Sequence, residues 1–259
     1  MAELGGPDPA SIDPETGDRA DGGPRESTAL PPRRRSVWLE LPVLVVVALA
    51  MSFLLQTFVG RVYLIPSESM EPTLHGCTGC TGDRIVVDKI TYRFGDPEPG
   101  DVVVFEGPPS WNTDYSSRRS GNPVLRGIEN VGSAVGLVPP DENDLVKRVV
   151  AVAGQTVQCR PGDEGVKVDG KALVEPYIDS RTSPGNGVPC QGIFFGPVVV
   201  PEDSVWVMGD NRANSKDSRF HMADELGGAV PVANIVGRVR LIVLPPSRWG
   251  VVHAVDPRQ

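Results

Sequence analysis

Nineteen residues, Leu41 to Val59, form a run that is apolar almost throughout, with Ser52, Gln56 and Thr57 as mild interruptions. A helix rises about 1.5 Å per residue, so the run spans about 28 Å, close to the thickness of a bilayer core. Pro42 falls in the first turn, where its missing N–H costs little. Arg33, Arg34 and Arg35 precede the run. Under the positive-inside rule the N-terminal side is then cytoplasmic and everything after Val59 lies outside. A cleavable signal sequence is the competing reading, because Ala48-Leu49-Ala50 offers a small-x-small pattern. Cleavage there leaves Met51-Ser52-Phe53-Leu54-Leu55 as a greasy new terminus, and no polar region precedes the site. An uncleaved, single-pass anchor is the expectation.

The residues on either side differ sharply. Residues 1–35 hold seven acids, many Gly and Pro and almost no large apolar side chains, the composition of a disordered tail. With 29 Gly and 26 Pro in 259 residues, about a fifth of the chain breaks helix interiors, which excludes a large helical bundle. After Val59, short β-branched runs alternate with Gly/Pro turns: Arg61-Ile65, Arg84-Asp88, Asp101-Phe105, Leu145-Ala153, Thr156-Cys159, Gly165-Val168, Val198-Val200, Ser204-Met208 and Ile235-Leu244. This spacing predicts a mainly antiparallel β-domain. Asp169-Gly170 predicts the turn of a hairpin. The segment 107–143 is rich in Gly, Pro, Ser and Asn and reads as a long mobile loop or insertion. The expected organisation is a cytoplasmic tail at 1–35, a transmembrane helix at 36–59 and a β-domain at 60–259. That domain carries the insertion at 107–143 and a β-rich subdomain at about 155–203.

Charge and metal ligands exclude other classes. A net charge of -8 disfavours nucleic acid, whose phosphates need basic surface. Three histidines lie outside any HExxH spacing, so no metal and no cofactor are expected. Cys77, Cys80, Cys159 and Cys190 all follow the apolar run, where an oxidising compartment favours disulfides. Cys159 and Cys190 flank the hairpin and could staple it. Cys77-Thr78-Gly79-Cys80 reads as a local disulfide, a redox pair or half of a zinc site.

Three segments concentrate chemistry. Ile65-Pro66-Ser67-Glu68-Ser69-Met70-Glu71-Pro72-Thr73-Leu74 brackets an acid with two serines and stiffens the backbone with proline. It suits either a presented nucleophile or an ordinary surface turn. In Leu145–Gly154, strand alternation puts Lys147 on one face with Leu145, Val149 and Ala151, and Arg148 on the other. Only five of the 25 basic residues are Lys. A lysine among apolar neighbours is either a desolvated base or a cation reaching out from a strand edge. Met208-Gly209-Asp210-Asn211-Arg212-Ala213-Asn214-Ser215-Lys216-Asp217-Ser218-Arg219 is a dense polar loop after an apolar strand, fit to orient a catalytic group or to bond to itself.

In this order the three segments resemble the motif boxes of the type I signal peptidases, membrane-bound serine proteases that remove signal peptides. The resemblance runs from the anchor to about Leu244 and includes Gly100-Asp101-Val102-Val103-Val104-Phe105. It implies a Ser/Lys protease β-core with Ser69 as nucleophile and Lys147 as general base. It further implies Ser67 and the Ser69 N–H as oxyanion donors, and Ser215 as the hydroxyl orienting the lysine. Asp217 and Arg219 become a supporting ion pair, with Asp210 also structural. Ile65, Met70, Leu74 and Val146 fall where shallow substrate pockets are lined. The implied substrates are signal peptides of exported preproteins cut after small residues. The bilayer and the secretion translocon are the implied neighbours. Ala153-Gly154-Gln155 departs from the family's usual Gly-Asp without touching the dyad. The Arg-rich, Gly/Pro-rich style suggests an actinobacterial source. Trp249 and Val239–Leu244 suit either membrane contact or packing. A self-cleaving Ser/Lys protease of the repressor type is disfavoured by the apolar span and the missing DNA-binding domain. A decayed, non-enzymatic anchored protein is disfavoured by the presence of every expected dyad partner.

Overall fold

The computed structural model describes residues 37–77, 79–111, 119–134, 138, 143–178, 190 and 193–258, and the tail expected at 1–35 lies outside them. Val37–Phe58 forms helix α1. It contains Glu40–Phe58, the one helix among the described residues long and apolar enough to cross a membrane, and no part of that stretch is buried in the protein. A soluble fold would hide such side chains.

Beyond α1 the chain is mainly antiparallel β-structure. The strands are β1 (Gly60–Leu64), β2 (Arg84–Asp88), β3 (Val102–Glu106), β4 (Asp144–Val152), β5 (Thr156–Cys159), β6 (Lys167–Val168), β7 (Lys171–Ala172), β8 (Phe195–Val199), β9 (Ser204–Met208), β10 (Val230–Pro231), β11 (Ile235–Leu244) and β12 (Gly250–Val251). One sheet runs β1-β2-β11-β3-β4-β9-β10, with β12 beside β11, and a smaller one runs β7-β6-β5-β8. The period-two runs of β-branched residues supply these strands because they fit a pleated surface with buried neighbours. At the β6–β7 turn, Asp169 and Gly170 have φ of 51° and 79°, the paired left-handed conformation that a two-residue hairpin requires.

The core lies on the two faces of the larger sheet. Ile65, Met70, Leu74, Ile85, Val87, Val102, Val104 and Val239 pack together beneath the first polar segment. Val150, Trp206 and Met208 of the larger sheet pack against Val157, Val168 and Phe195 of the smaller one. The Phe195 and Trp206 rings stack with centroids 5.6 Å apart. On β11 Val239 and Ile242 are buried, while Leu241, Leu244 and the nearby Trp249 are exposed. That run therefore both packs and presents apolar surface.

The segment 107–143, expected as a long mobile loop or insertion, contains helix α3 (Pro123–Ala134). The helix has a local cause. Asn122 accepts hydrogen bonds from the N–H groups of Val124 (2.9 Å) and Leu125 (3.5 Å), and Pro123 occupies the first helical position. Gly127 and Gly132 lower the intrinsic propensity and hide the helix behind its composition. A second short helix, α2 (Thr91–Phe94), follows β2.

Both cysteine pairs are joined, Cys77 to Cys80 and Cys159 to Cys190. The second ties the end of β5 to a point 31 residues on. Closing a loop of that length in the unfolded chain stabilises the fold by about 3.7 kcal/mol. Replacing Cys159 and Cys190 together by Ala should lower unfolding free energy by about 3–4 kcal/mol in denaturant titration. A change below about 1 kcal/mol would show that the bridge does not constrain the fold.

Candidate active site

Sheet order decides where Lys147 lies. β4 sits between β3 and β9, with Lys147 opposite Val103 and Arg148 between Val102 and Met208. Both long cations are therefore inside the protein, Lys147 at 4% and Arg148 at 1% exposure. Their surroundings differ, and so do their chemistries.

Arg148 is fully paired. Its Nε and Nη2 donate to the two carboxylate oxygens of Asp210 at 2.8 and 2.7 Å, and Nη1 donates to the Gly100 carbonyl at 2.7 Å. The guanidinium lies 4.0 Å from the centroid of the Tyr177 ring. Thr73, at the end of the serine segment, donates its hydroxyl to the same Asp210 carboxylate at 2.5 Å. One buried ion pair thus fastens β4 to the loop after β9 and to the serine segment.

Lys147 meets a hydroxyl and a carbonyl instead. Its Nζ lies 2.8 Å from Ser69 Oγ and 3.1 Å from the Val146 carbonyl. Burial disfavours the ammonium and lowers its pKa to about 8, against the Asp217 and Asp210 carboxylates, which pull it upward. Desolvation among apolar neighbours alone would favour the neutral amine. At a pKa of about 8, roughly one molecule in ten carries the neutral amine at that pH. The two buried carboxylates account for the difference.

Ser69 is the central residue of a short 3₁₀ turn, Glu68–Met70, with Ser67 in extended conformation before it. The Ser67 and Ser69 hydroxyls are 3.3 Å apart. Met70 anchors the turn in the core at 1% exposure. From the other side the polar loop holds the turn. The Asn211 N–H donates to the Ser69 carbonyl at 3.1 Å, the Asn211 amide to the Glu68 carbonyl at 3.2 Å, and the Asn214 amide to the Glu68 carboxylate at 3.0 Å.

The polar loop is itself braced. Asp217 accepts from Arg219 Nε at 2.8 Å, from Arg219 Nη2 at 2.9 Å and from the Gly209 N–H at 3.0 Å. Burial alone would raise the Asp217 carboxyl, but the Arg219 guanidinium and the Gly209 amide outweigh it and hold it below the ordinary range. Arg212 donates Nε to the Gly209 carbonyl at 3.0 Å and pairs with Glu175. Ser215 is buried beside Gly209, and neither of the bonds made by Lys147 Nζ goes to its hydroxyl.

The structure brings Ser67, Ser69, Lys147, Asp210, Ser215, Asp217 and Arg219 to one place. Ile65, Met70 and Leu74 lie just beneath as core residues, with Val146 half-buried at their edge. Sequence reasoning missed Arg148 as the partner of Asp210, Asn211 as the clamp on the serine turn, and the Glu175–Arg212 pair. Arg148 had a signal, since strand alternation buries it whenever both faces of β4 are covered. Glu175 had none, because its contact depends on where a distant loop returns. His75, Cys77 and Cys80 lie near one another, with ligand atoms within 4.8 Å. The disulfide occupies both sulfurs, so this group offers no thiolate to a metal.

Comparison with known proteins places these segments in context. The family described as Signal peptidase, peptidase S26, matches residues 38–244. The chain is 59% identical over 235 residues to signal peptidase I of Mycobacterium tuberculosis (strain ATCC 25618 / H37Rv), covering 88% of this chain and 80% of that one. It is 56% identical over 242 residues to the probable signal peptidase I of Mycobacterium leprae (strain TN), covering 88% and 83%. It is 36% identical over 207 residues to the probable signal peptidase I-1 of Synechocystis sp. (strain ATCC 27184 / PCC 6803 / Kazusa), covering 80% and 83%.

Gly209 provides a test of the assembly. A Cβ there would meet Ser215 Oγ at 2.3 Å and the Ser69 carbonyl oxygen at 2.4 Å. Gly209→Ala must displace the serine turn, Ser215 or both. A displacement near 1 Å costs about 100-fold in turnover, so peptidase kcat/KM should fall by about that factor while the far-UV spectrum stays folded. Unchanged turnover would show that the chemistry does not depend on this close approach.

Proposed function

The chain belongs to the signal peptidase family, peptidase S26, and from this premise we propose that it cuts signal peptides from exported preproteins with Ser69 as nucleophile and Lys147 as general base. One observation carries the assignment: a buried lysine Nζ 2.8 Å from a serine Oγ, with both groups held by buried structure. Neutral Lys147 accepts the Ser69 hydroxyl proton as Oγ attacks the scissile carbonyl carbon. The C–O bond forms, and the carbonyl π pair moves onto oxygen. The Ser67 hydroxyl and the Ser69 N–H are the donors for that oxyanion. Collapse breaks the C–N bond, and the Lys147 ammonium protonates the departing amine. Water, deprotonated by Lys147, then attacks the acyl ester and releases the signal peptide as a carboxylate.

The buried arginine pairs support this chemistry indirectly. Arg219 pairs with Asp217 and Arg148 with Asp210, and the Arg219 charge offsets part of the upward pull that the two carboxylates exert on Lys147. A peptide covering the site would exclude water and lower the lysine further. The close packing of Ile65, Met70 and Leu74 under the serine turn, with Val146 at its edge, favours small side chains before the cut by steric exclusion.

Ser69→Ala, Lys147→Ala and Lys147→Arg should each abolish cleavage of a preprotein-derived peptide by the detergent-solubilised protein. Arg preserves the charge but cannot supply a neutral base. For the wild type, kcat/KM should rise with pH through about 8, because the pKa is lowered from the usual lysine value and the active form has lost the proton. Retained activity in any of the three variants, or a flat profile between pH 6 and 9, would overturn the dyad.

The anchor sets the compartment. With Arg33–Arg35 on its N-terminal side, α1 orients the tail to the cytoplasm and residues from 60 onward outside, where preproteins leave the translocon. Alkaline phosphatase fused after Gln259 should therefore be active in cells, since it folds only outside the cytoplasm. An inactive but intact fusion would contradict the orientation.

A further inference from the structure

Helix α3 is amphipathic in the inverted sense. At 100° per residue, Val124, Leu125, Ile128 and Val131 share one face, and Arg126, Glu129, Asn130 and Ser133 share the other. In a soluble domain the apolar face would turn to the core. Here one residue of the polar face, Ser133, makes the attachment, and Glu129 and Arg126 bond back to Ser120 just ahead of the helix. The Arg61 guanidinium donates to Ser133 Oγ at 3.1 Å, the Glu129 carboxylate accepts the Ser120 N–H at 3.0 Å, and Arg126 Nε donates to the Ser120 carbonyl at 3.1 Å. Ser133 is buried, whereas Val124, Leu125, Ile128 and Val131 are 51–69% exposed.

The position of the tether gives the face its partner. Arg61 stands three residues beyond Phe58, the last residue of α1, so the C-terminal end of α3 is held at the point where the chain leaves the membrane span. Another element meets the same point. The Arg93 guanidinium of α2 lies 5.6 Å from the centroid of the Phe58 ring, and the Lys89 N–H donates to the Val59 carbonyl at 3.0 Å. Next to Arg93, Phe94 is 88% exposed, the most exposed large apolar side chain among the described residues. Two separate segments held close to the foot of α1 thus turn apolar side chains outward rather than inward.

We propose that α3 is an interfacial membrane helix. Its Val124, Leu125, Ile128 and Val131 face enters the outer-leaflet lipid beside the exit of α1, while Ser133 holds it to the catalytic domain through Arg61. The inference rests on the reading of α1 as a membrane span. An interfacial helix of this kind immerses its apolar face about 5–10 Å into the boundary between headgroups and acyl chains. With α1 it gives the domain a second attachment to the bilayer. Two attachments restrict rotation about the anchor and hold Ser69 at one height above the surface, where emerging preproteins arrive.

The experiment uses the full chain reconstituted in vesicles of phosphatidylcholine and phosphatidylglycerol. Because the native cysteines are paired, Ile128→Cys, Asn130→Cys and Val47→Cys can each be labelled with an environment-sensitive fluorophore. Lipids with a nitroxide near the headgroup should quench the label at 128 at least about threefold more than the label at 130. Equal quenching at 128 and 130 would overturn the proposal. So would shielding of 128 only on adding a signal peptide or only at high protein density, which would assign the face to substrate or to a second copy. Lipids with a nitroxide deep in the acyl chain report Val47, and hence the span, independently. Cleavage of a soluble signal peptide by the same samples reports the Ser69/Lys147 reading, so the three failures can be told apart.

Discussion

The bidentate contact between Arg148 and Asp210 joins three parts of the chain that are far apart in sequence. It links the interior strand β4, the polar loop after β9 and, through Thr73, the end of the serine segment. The pair is fully buried, so losing either partner would strand a charge in the interior at a cost of about 3–5 kcal/mol. Lys147 is the residue immediately before Arg148, and the strand pleat sends the two side chains to opposite faces. Fixing Arg148 therefore fixes the direction of Lys147. The geometry of the Ser69–Lys147 contact is inherited from an ion pair that takes no part in it.

The same arrangement separates two neighbouring cations into different roles. Arg148 meets a carboxylate head-on, a carbonyl and an aromatic face. Lys147 meets a hydroxyl and one carbonyl, and its pKa falls to about 8. Asp210 and Asp217 are close enough to pull it upward, yet each already accepts a guanidinium. Burial sets the direction of the shift, and the two carboxylates set how far it stops short of neutrality at pH 7. The arrangement fits a base that must both take and return a proton.

Strands and turns were legible where local rules apply. Arg84–Asp88, Thr156–Cys159, Ser204–Met208 and Ile235–Leu244 have the bounds their β-branched runs suggest. The Asp169-Gly170 turn follows from the left-handed conformation it needs. Helix α3 was not legible from composition, because two glycines and the surrounding polar residues read as loop. Its signal was the apolar spacing 124, 125, 128 and 131 after an Asn-Pro cap. That spacing also hid the orientation of the helix. An apolar stripe normally predicts a face turned to the core, and only the Arg61–Ser133 hydrogen bond and the exposure of Val124, Leu125, Ile128 and Val131 show that this one is turned away.

The amino-acid sequence by itself determined the apolar span, the alternating strands, the hairpin turn and the chemical types of the site residues. Each of these is written within a few neighbouring residues. Tertiary structure decided the rest. Ser69 and Lys147 are 78 positions apart and meet because the serine turn is clamped over β4. Glu175 reaches Arg212 across 37 positions, and Arg61 reaches Ser133 across 72. Such contacts depend on the order in which strands pair and on where connecting loops return. Local periodicity specifies which face of a strand or helix is apolar, but not which distant element that face will meet.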